Sequence, residues 1–75
     1  MKHFMLTLKD VEQVVDFVKM MSACPCEADV RYGSCVVDAK SLLGVLSLGV
    51  AKKVEVVLHS EEMGDMGEKL SAFAA

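Results

Sequence analysis

The sequence predicts an α+β open-faced β-sandwich, a four-stranded, mostly antiparallel sheet with helices on one face, in the order β-α-β-β-α-β-α. Three observations predict it. The apolar period switches repeatedly between two residues and about 3.6 along the chain. A Gly33-Ser34 pair separates two strand-like runs, as a hairpin turn does. The chain is 53% hydrophobic but only 5% aromatic, so the core has to be aliphatic, built from Val, Leu, Ala and Met.

The first strand is read over 3–8, "HFMLTL", where Phe4, Leu6 and Leu8 share one side. Over 9–22, "KDVEQVVDFVKMMS", the period lengthens. Val11, Val14, Val15, Val18 and Met21 or Ser22 follow helical spacing, and Asp10 stands at the N-cap, where its carboxylate accepts from the N–H of Glu12 or Gln13. The valines lower helix propensity, so packing has to hold this helix, and Pro25 ends it. Alternation returns over 27–33, with Ala28, Val30 and Tyr32 on one side and Asp29 and Arg31 on the other, and "CVVDAK" (35–40) completes the hairpin. A short helix follows, with Ser41 as N-cap and Gly49 as its stop. Residues 52–60, "KKVEVVLHS", form the fourth strand, with Val54, Val56 and Leu58 in alternation. In the last segment Met63, Met66 or Gly67, Leu70 and Phe73 fall at roughly helical spacing, starting near Ser60, Glu61 and Glu62. Gly64 and Gly67 each cost about 1 kcal/mol against Ala, which weakens the first turns of that helix.

The totals bound the function. Seventy-five residues suit one domain, 1–75, with one small core. A net charge of −3 argues against a direct nucleic-acid partner. No apolar run approaches the ~20 residues that cross a bilayer, and "MKHFMLTLKD" lacks a signal-peptide apolar region, so a cytoplasmic protein without membrane attachment is expected. Three cysteines fit a disulfide framework poorly and suit a reducing compartment. No triad, P-loop or paired-carboxylate signature is present, so neither an enzyme nor a cofactor is expected.

The stretch "KSLLGVLSLGV" (40–50) carries the functional signal. A two-turn helix cannot bury Leu42, Leu43, Val45, Leu46 and Leu48 together in a core this small. With Leu42, Val45 and Leu46 turned inward, Leu43 and Leu48 look out. Exposed leucines grouped beside Ser41 suggest a docking surface, against the simpler reading of ordinary apolar leakage to the surface. Ser41 needs no more explanation than an N-cap, worth about 1 kcal/mol. A phosphate there would nevertheless be tolerated, beside Lys40 and at the positive end of a helix.

These residues carry a resemblance. "DAKSLLGVLSLGVAKKVEV" resembles the Lys-Ser-x-x-Gly-x-x-Ser-Leu-Gly signature of HPr, the phosphocarrier of the bacterial sugar phosphotransferase system. Lys40, Ser41, Gly44, Ser47, Leu48 and Gly49 fit it one by one, and "ADVRYGSCVVDAKS" looks like the hairpin leading into it. The likeness is strong over 28–58, and the order of elements agrees with the HPr fold. HPr carries phosphate on a histidine at the head of its first helix, in a Gly-x-His-x-Arg-Pro context. Gapless alignment backward from Ser41 places Asp10, Val11, Glu12 and Gln13 at His-x-Arg-Pro. Asp10 thus holds the position of the lost phosphoacceptor, and with Glu12 it repels an incoming phosphate.

The resemblance is nearest to the catabolite-repression HPr type, which lacks the histidine and keeps the serine. It departs further from the pattern, because the arginine and proline are absent as well. The resemblance implies a regulatory, protein-binding module, phosphorylated at Ser41 and docking through Lys40, Leu42, Leu43, Leu46 and Ser47, with HPr kinase or a transcriptional regulator as partner. Two alternatives stay open: a phosphocarrier using a non-standard acceptor such as Asp10 or His59, and an orphan structural domain. Exposed leucines and a sheet edge both permit dimers.

The "CPC" at 24–26 and Cys35 raise zinc or redox chemistry. Cys-x-Cys alone is a weak zinc signal. The hairpin sets Cys26 and Cys35 roughly 20 Å apart at ~3.3 Å per residue, which excludes a three-cysteine site. Small loop thiols are the expectation, with a Cys24–Cys26 redox pair the alternative. Met63 and Met66 are expected to pack the last helix, and Glu61, Glu62, Asp65 and Glu68 to form a solvated face.

Overall fold

The structure is a computed structural model, describing residues 2–48, 50–59, 66–71 and 73. The elements are β1 (Lys2–Leu8), α1 (Val11–Ser22), β2 (Ala28–Tyr32), β3 (Cys35–Asp38), α2 (Leu42–Ser47), β4 (Lys52–Leu58) and α3 (Met66–Ser71). The strands form one sheet in the order β1-β4-β2-β3. Every adjacent pair is antiparallel, so the sheet is more uniform than the mostly antiparallel one expected. The strand expected over 52–60 ends at Leu58, and Ser60, Glu61, Glu62, Met63, Gly64 and Asp65 lie outside the described residues, as does Gly49.

The register explains the two faces. Leu6 pairs with Val54, Phe4 with Val56, and Val30 with both Val56 and Val37. These side chains share the face that the helices cover. Leu6, Val30 and Val56 are wholly buried there, with Phe17, Met21, Val14, Val45 and Leu70 packed over them. Each such side chain contributes ~1.5–3 kcal/mol by leaving water. The opposite face holds the rows His3–Val57–Asp29 and Met5–Glu55–Arg31–Val36, which are polar apart from Met5, Val36 and Val57.

The buried stripe of α1 is Val14, Phe17, Val18 and Met21, one step away from the stripe expected from Val11. Val11 is 55% exposed, because it occupies the first helical position, ahead of the turns that lie on the sheet. Phe17 takes its place in the core and meets Phe73 edge-on, with ring centroids 5.9 Å apart at 89°. Met20 and Phe4 are partly buried against the same core.

The β2–β3 turn carries Gly33 at φ +59, and Ser34 has no positive φ. That is the pattern of a type II′ hairpin turn, which needs glycine at its first central position. At the far side of the sheet, the Thr7 N–H donates to the Phe73 carbonyl at 3.1 Å, so the turn after α3 lies on the outer edge of β1.

Candidate functional site

Two helix heads form the region to examine. At the head of α1, Asp10 is extended and its Oδ1 accepts the Gln13 N–H at 2.9 Å. The Gln13 side chain reaches back and accepts the Lys9 N–H at 2.9 Å. This reciprocal arrangement works as a capping box does, with the return bond falling one residue earlier than usual. Glu12 adds a second negative charge in the first turn. The head of α1 is thus an exposed, acidic, self-satisfied start.

At the head of α2, Ser41 is also extended, and its Oγ accepts the Gly44 N–H at 3.1 Å. Its own N–H donates to the Asp38 carbonyl at 3.0 Å, while the Lys40 N–H donates to the Asp38 carboxylate at 2.9 Å. Asp38 therefore folds the chain from β3 into α2. Gly44 is favoured by closeness: a Cβ there would stand 3.1 Å from Ser41 Oγ and 3.3 Å from Val37 Cβ, and either neighbour would have to give way slightly. Ser47 closes the short helix by donating its hydroxyl to the Gly44 carbonyl at 2.6 Å. The two serines and Gly44 of the stretch are thus accounted for by hydrogen bonding and space.

The leucines differ from the expectation in two places. Leu43 is 81% exposed, as expected. Leu42, expected to turn inward, is 39% exposed, and Leu48, expected to look out, is buried. The cause is position. Leu42 opens α2 before the helix has curved onto the core, whereas Leu48 is its C-cap and drops beneath it beside Val45. Leu46 is partly buried. Leu42, Leu43, Leu46 and Ser47 sit at three- and four-residue spacings and share one helix side. Lys40, half-buried, precedes it.

The end of α2 is joined to the head of α1. The chain leaving α2 passes Val50, itself 37% exposed, and the Ala51 N–H donates to the Leu8 carbonyl at 2.7 Å. That bond sets Val50 beside the segment Lys9–Asp10–Val11. Ala51 adopts φ +64 to make the connection, a left-handed conformation in a residue that pays for its Cβ there.

Both histidines lie elsewhere. His3 is on β1, five positions before Leu8, about 17 Å of strand away from the head of α1. Its Nδ1 is 2.8 Å from the Glu55 carboxylate on the open face. His59 follows Leu58, whose strand partners are Lys2 and Ala28, so it stands at the same far end. Its Nε2 is 2.6 Å from the Asp29 carboxylate. His3, Asp29 and His59 border a shallow depression of about 220 Å³ that also includes Arg31, Val36 and Val57. Val57, though on the open face, is buried by these neighbours. Sequence reasoning missed both pairs, since they join residues 52 and 30 positions apart. Like-face placement of His3, Glu55, Asp29 and Arg31 in the alternating strands was the available signal.

Cys35 pairs with Tyr32 at the hairpin tip, and Cys26 precedes β2. The three cysteines therefore do not converge, and among the described residues no group of three or more His, Cys, Asp or Glu side chains could hold a metal ion. Cys24 and Cys26 do meet, with their Sγ atoms 2.8 Å apart. The bond to Cys24, reinforced by burial, pushes the Cys26 thiol up from its ordinary range, against a smaller opposing pull from a backbone hydrogen bond and from Lys40. Among the described residues no helix is long and apolar enough to cross a membrane.

No curated protein sequence matches the chain. Among solved structures, the crystal structure of HPr-C-His from Thermoanaerobacter tengcongensis is similar to it, with a TM-score of 0.77 and 23% identity over 96% of this chain and 88% of that one. That likeness shows the fold: four antiparallel strands with three helices in the order β-α-β-β-α-β-α. The family model described as "PTS HPr component phosphorylation site" matches residues 13–75, beginning three residues after Asp10. By that match over most of its length, the chain belongs to the HPr family of the phosphotransferase system.

Proposed function

We propose that this HPr-family chain is a regulatory protein-binding module that docks through α2 and does not carry phosphate on histidine. The observation that carries the reading is the placement of its imidazoles. A phosphocarrier of this family type needs an imidazole at the head of α1, where helix N–H groups and an arginine meet the phosphoryl charge. Here that head holds Asp10 and Glu12, and the N–H of Gln13 is already taken by Asp10. His3 and His59 stand at the other end of the sheet, each against a carboxylate that disfavours an anionic phosphoryl group.

The docking surface is the exposed side of α2, with Lys40, Leu42, Leu43, Leu46 and Ser47, continued by Val50 and Val11 at the head of α1. Ser41 is the regulatory phosphorylation site in this reading. Its hydroxyl is half-buried at the edge of that surface, with Lys40 next to it. A phosphate there would add about two negative charges at physiological pH and change the surface from apolar and weakly basic to acidic. The partners are proteins, HPr kinase or a transcriptional regulator; the place of action is the cytoplasm.

Two incubations test this. With Enzyme I and labelled phosphoenolpyruvate, the chain should take no label, and label at Asp10 or His59 would establish the phosphocarrier alternative instead. With HPr kinase and ATP, the intact mass should rise by one phosphate, and Ser41→Ala should abolish the gain. An unchanged mass removes the serine switch.

A further inference from the structure

We propose that Cys24 and Cys26 form a thiol–disulfide exchange site, which closes to a disulfide within the α1–β2 loop on reaction with a low-molecular-weight disulfide such as oxidised glutathione. The site follows from how the loop is anchored. On one side, the Cys24 N–H donates to the Met21 carbonyl at 3.1 Å, which fixes Cys24 to the last turn of α1 and buries its side chain to 6% exposure. On the other, the Glu27 carbonyl accepts the His59 N–H at 2.9 Å, which fixes the entry to β2. Pro25 locks its own φ near −65° between the two. The fold thus holds both ends of a three-residue segment and sets its sulfurs 2.8 Å apart.

The ligand set points to a bond between the sulfurs rather than to a shared metal. Structural zinc takes four ligands, and the described residues offer no third one here. Residues two apart span at most about 7.2 Å, which overlaps the Cα separation of about 4.4–6.8 Å that a disulfide bridges.

The exchange runs in two steps. Cys26 is the more accessible of the pair and reacts first. It loses its proton to solvent, its thiolate attacks one sulfur of glutathione disulfide, and one glutathione thiolate leaves. Cys24 then loses its proton and attacks the Cys26 sulfur, expelling the second glutathione. The two protein thiols give up two electrons and two protons, and one disulfide becomes two thiols. Because the Cys26 thiol is pushed up, the first step accelerates with pH and continues to do so beyond the ordinary thiol value of about 9.0. Cys35, exposed at the hairpin tip, has no partner sulfur in this scheme.

The test uses the full chain carrying Cys35→Ser, equilibrated in glutathione buffers of graded composition, acid-quenched and weighed intact, with peptide mapping of residues 24–26. The folded protein should lose the mass of two hydrogens without retaining glutathione, and its equilibrium constant for closure should exceed that of the same chain in denaturant by at least about tenfold. The closure rate should climb steadily with pH. Persistent glutathione adducts, no reaction, or closure no more favourable in the folded chain than in the denatured one would each overturn the proposal.

Discussion

The two helix heads of this protein use the same device to different ends. Both are N-capped by an extended residue whose side-chain oxygen accepts an N–H three residues on: Asp10 from Gln13, and Ser41 from Gly44. The α1 head is exposed, doubly acidic and closed by a return bond from Gln13. The α2 head is half-buried, preceded by Lys40, and packed closely enough that a Cβ at position 44 would crowd Ser41 and Val37. A helix start with fixed negative charge rejects an anion, whereas a neutral hydroxyl beside a lysine can acquire one. In the function proposed above, the α2 head and not the α1 head is therefore the place for a phosphoryl group.

The largest expected effect comes from reversing the α1 head. The double variant Asp10→His, Glu12→Arg restores an imidazole and a guanidinium there, and should take label from Enzyme I and phosphoenolpyruvate where the parent takes none. A variant that folds but stays unlabelled would show that the remaining surface does not engage Enzyme I. Next in size is Leu43→Asp on the α2 side. It places a charge in the centre of the docking surface and should lower kcat/KM for Ser41 phosphorylation by HPr kinase by about thirtyfold, the scale of one interface hot spot. Its unfolding free energy should stay within about 0.5 kcal/mol of the parent, since Leu43 is 81% exposed. A loss of stability instead would assign Leu43 to the core.

Smaller effects separate the caps themselves. Asp10→Ala and Ser41→Ala should each cost about 1 kcal/mol in denaturant unfolding, within a range of about 0.5–2. Equal losses would support the equivalence of the two caps, and a neutral Ser41→Ala would remove the structural role given to its hydroxyl. The smallest effect concerns the connection between the end of α2 and the head of α1. Ala51→Gly relieves the left-handed conformation at φ +64 while keeping the N–H that donates to Leu8. It should raise stability by up to about 1 kcal/mol, the left-handed penalty less the entropy cost of glycine.

Most of the architecture was legible because the periods are clean. Val54, Val56 and Leu58 share one face at period two, and all three are buried. Gly33-Ser34 marked the hairpin, and Asp10 and Ser41 marked the helix starts. Legibility failed at element ends. Val11 and Leu42 both occupy first helical positions, where the periodicity is already running but the helix does not yet overlie the sheet. Phe17 was passed over because a phase set from Val11 leaves it off the stripe, whereas a phase set from Val14 includes it. At the candidate site, the motif located Lys40, Ser41 and Gly44, and the spacing located Leu43. The ion pairs of His3 and His59 were invisible, because strand order, not local pattern, brings their carboxylates alongside. The contact of Cys24 with Cys26 was foreseen only as an alternative. Spacing alone does not tell whether a loop turns two thiols toward each other or apart.

The bond from Thr7 to Phe73 has a consequence for self-association. The sheet has two margins. With α3 and Phe73 lying along β1, that margin is partly sealed. The opposite margin is β3, only four residues long, with Val36 outward and Asp38 at its end. Strand-to-strand pairing between copies is therefore steered to a short, charged ribbon poorly suited to growth, while any stable pairing through the leucines of α2 would compete with docking for the same ground.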